Sequence, residues 1–308
     1  MDLLCGEDAA ALEEDSAGYV TEAELPDESD QPPIAELVAA EGEYSPGFDY
    51  PERFRARLLD PLARADSVAW ILEVHSYFRF LPLTAYLAVN YMDRFLYSHC
   101  LPANEWALQL LSVACLSLAA KMEETLVPSL LDLQVEGSRF VFEPRTIRRM
   151  ELLLLTALDW RLRSVTPFTF IDFFAYKVDS SGGHARALVS RATQFILAAI
   201  HDIGFLDHCP SIMAAAAILC AAEKTPTLAS IAPGVAVSWC TGLTEEGITN
   251  CYQLMQRVAK VGGTQRKHPM ILSELRVVTS TSNLGSGISS NSSRPPPSKR
   301  RKISSKCI

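Results

Sequence analysis

No lysine or arginine occurs in the first 52 residues of this 308-residue chain, and no aspartate or glutamate in the last 32. Residues 53–276 carry 22 basic and 20 acidic residues, so the formal net charge of -8 sums an acidic head, a near-neutral body and a basic tail. A body without a positive excess argues against a broad nucleic-acid-binding face. No Cys-x-x-Cys occurs, and the eight cysteines lie scattered without histidines at metal-ligand spacing. Neither a zinc site nor a disulfide framework is expected, and a reducing compartment is the simplest reading. Cys115 and Cys220 sit in apolar helical runs and read as small core residues. No basic segment introduces an apolar one near Met1, so no signal peptide is expected. The longest apolar run, 108–120, is too short to span a bilayer. Cys307 is misplaced for prenylation. A Gly-rich phosphate loop, a nucleophile elbow and His-Glu-x-x-His are all missing. His99-Cys100 and His208-Cys209 are adjacent pairs without a third ligand or a base. The expectation is a protein with no enzymatic activity, no cofactor, no metal and no membrane segment.

What is present is helical periodicity. Signals begin near Asp49 and run almost unbroken to Lys260. The first set covers 64–80, 82–98, 104–124, 129–134 and 144–160. Pro82 and Pro144 suit first-turn positions, and Asn104 suits an N-cap. The third segment is apolar nearly all round, from Trp106 through Leu110, Val113 and Leu116 to Ala119, so other helices must surround it. The second set covers 167–176, 184–203, 211–223, 227–238 and 244–261, and its third member is again apolar all round. Two sets of five, each with a buried third, predict an all-α chain of two tandem five-helix bundles. No strand pattern competes. The expected organisation is an acidic disordered arm (1–48), two bundles (49–163 and 164–262) and a Ser/Pro-rich basic disordered tail (263–308).

Several short features carry chemistry. Leu3-Leu4-Cys5-Gly6-Glu7 fits Leu-x-Cys-x-Glu. In an extended strip Leu3, Cys5 and Glu7 face one way and offer two apolar anchors and a carboxylate to one groove. The acidic neighbours Asp2 and Asp8 favour a basic-rimmed groove. Glu151 falls on the apolar stripe Ile147, Met150, Leu154, Leu158, where a carboxylate needs a partner. Lys121, at the end of the central apolar helix, is a candidate, and a purely structural ion pair is the competing reading. Asp27-Glu28-Ser29-Asp30 and its prolines fit a degradation signal or a merely solubilising arm. Lys299, Arg300, Arg301 and Lys302 form a candidate nuclear-import run. Ser45-Pro46 and Thr225-Pro226 are minimal sites for proline-directed kinases, with Ser45 the better candidate and Thr225 read as helix punctuation.

The motifs Trp70-Ile71-Leu72-Glu73-Val74, Asn90-Tyr91-Met92-Asp93-Arg94-Phe95, Ala119-Ala120-Lys121-Met122-Glu123-Glu124 and Leu158-Asp159-Trp160-Arg161-Leu162 occur in order. Together they resemble the cyclin box, over about 49–260, and with the N-terminal motif they look most like plant D-type (G1) cyclins. The resemblance implies a regulatory subunit that binds and activates a cyclin-dependent kinase at G1/S, an A-type plant kinase by expectation. It implies that Lys121 and Glu151 hydrogen-bond the kinase, that Met122, Leu155, Trp160 and Leu162 lie near the kinase-facing groove, and that Arg64 is a structural brace. Through Leu3, Cys5 and Glu7 it implies docking of a retinoblastoma-related protein. Kinase inhibitor proteins are further candidate partners, and nucleus, with cytoplasm as a second site, is the expected location. The run Ala63-Arg64-Ala65-Asp66-Ser67 departs from the apolar docking patch of many cyclins. Trp70 and Glu73 remain candidates for substrate docking, with Trp70 equally readable as core. Two other classes compete: a DNA-binding general transcription factor with paired cyclin folds, which calls for a zinc ribbon and a basic face, and an enzyme.

Overall fold

The computed structural model describes residues 33–102, 104–134, 140–225, 228 and 231–265, with backbone alone at 105 and 261–265. Among the described residues every regular element is helical, and no helix is long and apolar enough to cross a membrane. The α-helices are α1 (Ile34–Ala40), α2 (Tyr50–Arg55), α3 (Pro61–Phe78), α4 (Pro82–Ser98), α5 (Glu105–Glu123), α6 (Pro144–Ala157), α7 (Phe168–Val178), α8 (Ala185–Ala199), α9 (Pro210–Glu223), α10 (Pro233–Ala236) and α11 (Glu245–Gln265). Short 3₁₀ turns cover Glu41–Tyr44, Ile203–Asp207 and Val237–Trp239.

Local chemistry sets the boundaries. Pro61, Pro82, Pro144 and Pro210 each open a helix, where the missing N–H costs nothing. The Asp60 side chain caps α3 by accepting from Leu62 N at 2.9 Å, and Arg79 ends it in the left-handed conformation. The expected helix over 129–134 is a turn instead. Ser129 Oγ accepts from Asp132 N at 3.2 Å and Leu133 N bonds Ser129 O at 2.9 Å, so the segment has the cap and first bond of a helix but stops after one turn.

The two apolar third segments are α5 and α9. In α5 every residue from 110 to 120 is buried, with α3, α4 and α6 packed round it. In α9 the side chains from Pro210 to Ala222 are all buried among α7, α8 and α11. Ala214, Ala215, Ala216 and Ala217 let these neighbours approach closely, because only methyl groups stand between the backbones. The core thiols behave as core. Burial pushes Cys220 up to about 12 and Cys115 well above its ordinary value.

Helical structure begins earlier than the sequence pattern indicates, at Ile34 rather than near Asp49. Ile34, Leu37, Val38 and Tyr44 pack against the core of the second bundle. Glu41 is only 5% exposed, and its carboxylate accepts from Ser211 N and Ser211 Oγ, each at 2.8 Å. Those donors stand at the start of α9, where N–H groups lack intrahelical partners and the helix dipole favours an anion. This strap of α1 and its 3₁₀ turn therefore fastens residues 34–44 to the far bundle. Replacing Glu41 by Ala would leave the Ser211 N–H buried and unpaired, at about 1–3 kcal/mol. The expected outcome is a lower urea midpoint for Glu41→Ala; an unchanged midpoint would show that the strap is not anchored there.

Candidate functional site

Two charge pairs dominate the first bundle, and they differ in exposure. The inner one is Arg64 with Asp93. Arg64 Nε donates to Asp93 Oδ1 and Nη2 to Oδ2, both at 2.8 Å, with both side chains almost wholly buried. Tyr50 Oη donates to Asp93 Oδ1 at 2.9 Å. Arg64 Nη1 reaches the carbonyl oxygens of Ile200 (3.2 Å) and His201 (3.4 Å), just past the end of α8. One guanidinium thus ties α3 to α4 and the first bundle to the second. Burial works against its charge, but the Asp93 carboxylate more than offsets this and raises the Arg64 pKa. Burial and the same carboxylate push the Tyr50 phenol far up. The family resemblance implies a structural brace at Arg64, and the structure places its guanidinium in this buried network. Asp93 and Tyr50 received no role from sequence reasoning. Asp93 had a usable signal, since it stands on the apolar stripe of Ala85, Ala88, Val89, Met92 and Phe95.

The outer pair is Lys121 with Glu151. Lys121 ends α5, where a cation suits the helix C-terminus, and its Nζ donates to Glu151 Oε1 at 2.6 Å. The Glu151 side chain is 8% exposed and that of Lys121 is 43% exposed. The carboxylate is therefore held by packing on α6, while the ammonium keeps a solvent face with donors to spare. The expected partnership across two helices is present in the structure.

The surrounding apolar residues divide into two groups. Met122 (37% exposed) and Trp160 (68%) face solvent, whereas Leu155 and Leu162 are half-buried against the first core. Trp160 is set outward by a tight turn after α6 in which Asp159 and Trp160 both have positive φ, 51° and 60°. Non-glycine residues adopt that conformation only where neighbours fix it. Here Trp160 N bonds Leu155 O at 3.0 Å, Arg94 Nη1 donates to Arg161 O at 2.9 Å, and the Tyr91 hydroxyl donates to Leu162 O. Beyond Lys121, a groove of about 860 Å³ opens between Tyr77, Phe80, Glu124, Leu126 and Leu131.

The other sequence-predicted residues lie apart from this edge or outside the described residues. Trp70 is half-buried and packs against the first core, with Glu73 exposed one turn on. Asp66 is exposed, and Ser67 is buried with its hydroxyl donating to Ala63 O at 3.0 Å. Ser45, expected in a flexible segment, is half-buried and donates to Glu41 O at 3.3 Å. Thr225 is buried and accepts from Arg191 Nη1 at 2.7 Å. Leu3, Cys5, Glu7 and Lys299, Arg300, Arg301 and Lys302 lie outside the described residues. Among the described residues no cluster of three metal-ligating side chains occurs.

The cyclin N-terminal domain family matches residues 34–163, and the cyclin C-terminal domain family matches residues 165–277. Cyclin-D2-1 of Oryza sativa subsp. japonica is 60% identical over 275 residues, covering 86% of this chain and 85% of that protein. Cyclin-D1-1 of Arabidopsis thaliana is 51% identical over 310 residues, covering 99% of this chain and 91% of that protein. In fold, a viral cyclin from herpesvirus saimiri superposes with a TM-score of 0.56 at 17% identity, covering 66% of this chain and 86% of that one. The chain belongs to the cyclin family, within the plant D-type cyclins. Its role is accordingly that of a regulatory subunit for a cyclin-dependent kinase, and it is not itself an enzyme.

Three histidines, one of them at the joint between the bundles, give a pH prediction. His201 keeps an exposed side, and burial of the rest of its ring and then the neighbouring Arg64 cation lower its pKa, while burial lowers those of the half-buried His75 and His208. Below the ordinary imidazole value of about 6.5 the unfolded chain takes up protons that the folded chain resists. Stability from these groups is thus present above that pH and drains away as pH falls. The urea midpoint should drop between about pH 7.5 and 5.5, and His201→Asn should flatten that drop. An identical slope in the variant would remove His201 from the account.

Proposed function

We propose that this cyclin binds and activates a cyclin-dependent kinase of the A-type plant class at the G1/S transition, with Lys121 and Glu151 as its polar anchors. The observation that carries the reading is the 2.6 Å pair between a half-exposed lysine on α5 and a buried-edge glutamate on α6. A cation already held in place binds a partner's carbonyl oxygens with less ordering entropy to lose. Met122 and Trp160 beside it, with Leu155 and Leu162 behind, supply apolar surface for a helix. By holding the kinase's regulatory helix in its active position, the cyclin shifts a conformational equilibrium in another protein. Leu3, Cys5 and Glu7 then bring a retinoblastoma-related protein to the assembled kinase, and Lys299, Arg300, Arg301 and Lys302 direct the chain to the nucleus. Kinase inhibitor proteins would compete for the same assembly, and Trp70 with Glu73 offers a secondary substrate contact.

Exchanging the anchors tests the first part. The double variant Lys121→Glu, Glu151→Lys keeps one cation and one anion at the same place, so an internal pair can re-form while the charges offered to a partner reverse. Co-purification with the kinase, and phosphorylation by the mixture, should be lost. Full retained binding would place the interface elsewhere.

The arm has its own test. Cys5→Ala should leave kinase association intact and weaken capture of the retinoblastoma-related protein by roughly tenfold or more, the loss expected when a small anchor leaves its pocket. Equal capture by both chains would exclude the motif.

A further inference from the structure

Serine or threonine precedes proline at three places in the chain: Ser45-Pro46, Thr166-Pro167 and Thr225-Pro226. The fold treats them differently. Thr166 and Thr225 are only 2% and 6% exposed, and the Thr225 hydroxyl accepts from Arg191 Nη1 at 2.7 Å. Ser45 is half-buried, in the irregular stretch 45–49 between the first 3₁₀ turn and α2. It is lightly held. Ser45 N donates to Gly42 O at 3.4 Å and Ser45 Oγ to Glu41 O at 3.3 Å, both near the outer limit of a hydrogen bond. Its main chain is extended (φ -104°, ψ 152°), as a following proline demands. An extended Ser-Pro step has the shape and the sequence that a proline-directed protein kinase accepts.

Two pins flank this serine, one on each bundle. On the N-terminal side Glu41 is fixed to Ser211 at the start of α9. On the other side Gly47 lies against Tyr97 of α4, so closely that a Cβ there would fall 2.2 Å from the ring. A kinase cleft cannot take the segment between them while both pins hold. The first is the weaker, because α1 contains no fully buried residue, whereas Tyr50, just past Gly47, is wholly buried and bonded to Asp93. Local opening therefore begins at the strap. Ser45 also lines a cavity of about 60 Å³ between the bundles, with Arg64, Asn90, Asp93, Asp202 and His208. One guanidinium there faces two carboxylates, and burial lowers the His208 pKa and keeps its ring neutral. Arg64 is already committed to Asp93 and to two carbonyl oxygens. A phosphoryl group carries about two negative charges at neutral pH, so this net-negative cavity does not accept it in place of the hydroxyl.

We propose that Ser45 is a phosphorylation site for a proline-directed protein kinase, reached when the strap lifts from the second bundle, and that the phosphate then keeps the strap lifted. In the step itself Ser45 Oγ attacks the γ-phosphorus of a nucleoside triphosphate. The new O–P bond replaces the hydroxyl O–H, and its proton passes to the kinase's base. The bond from that phosphorus to the bridging oxygen breaks, and the nucleoside diphosphate leaves with the electron pair. The site does not depend on which kinase this cyclin itself activates.

The test uses the full chain, a purified proline-directed protein kinase and ATP. Phosphate should enter at Ser45, mapped by mass spectrometry, and Ser45→Ala should abolish the incorporation. Glu41→Ala removes the first pin and should raise the initial rate by roughly fivefold or more, the change in open population expected when a buried hydrogen bond is lost. A peptide covering residues 40–50 has no strap to lift, so Glu41→Ala should leave its rate unchanged. In the phosphorylated chain, amide exchange over residues 34–44 should accelerate by about fivefold or more, with that of α5 unaltered. Three results overturn the proposal: no incorporation, incorporation that survives Ser45→Ala, or equal rates for the full chain with and without Glu41→Ala. Equal or slower exchange over residues 34–44 also overturns it. Slower exchange would mean that the phosphate recruits Arg94, beside the Tyr44 ring, or Arg161, now paired with Glu43, and fastens the strap instead.

Discussion

A single buried guanidinium holds this cyclin's architecture together. Arg64 reaches Asp93 on α4 with two nitrogens and the carbonyls after α8 with a third, and Tyr50 closes the network from α2. Removing one partner from such a pair leaves a stranded charge, at about 3–5 kcal/mol. Substituting both by apolar residues of matching shape could be nearly neutral, so the pair contributes more to specifying one arrangement than to bulk stability. The arrangement it specifies is the seating of the first bundle against the second. The course of α4, fixed by Asp93, also sets where Tyr91 and Arg94 hold the turn that turns Trp160 outward.

The same residue chemistry serves two ends, separated by water. Arg64 and Asp93 are sealed, with 2% and 4% of their side chains exposed, and all their strong bonds are internal. Lys121 and Glu151 form an equally short pair, but the lysine is 43% exposed. An ammonium in that position is already oriented and still has hydrogens to give. A pair that is finished braces a fold, whereas a pair left open on one side can be completed by another protein.

Much of this was legible in residue order. The apolar periodicity located α4 at its observed ends and α3, α5 and α6 within a few residues. It also marked α5 and α9 as the buried centres, because no polar face interrupts them. The Lys121–Glu151 contact could be anticipated because a carboxylate on an apolar stripe demands a cation. Asp93 sends the same signal from α4 but was passed over, since a single chain does not say that its answering charge lies on α3. The strap was missed for a different reason. Its apolar pattern at Ile34, Leu37 and Val38 spans barely two turns inside an acidic stretch, and the surface that stabilises it belongs to residues far along the chain. The expected helix over 129–134 reduces to one turn, because the Ser129 cap and a single helical bond to Leu133 N are all that forms there.

The bond from Glu41 to Ser211 joins residues 170 positions apart. At ribosomal speeds of about 5–20 residues per second, the strap leaves the exit tunnel on the order of ten seconds or more before its anchorage exists. During that interval it must remain soluble and unattached, which its acidic composition favours. Completion of this contact is therefore a late event in biogenesis, postponed until the far bundle has emerged and α9 can present its first turn.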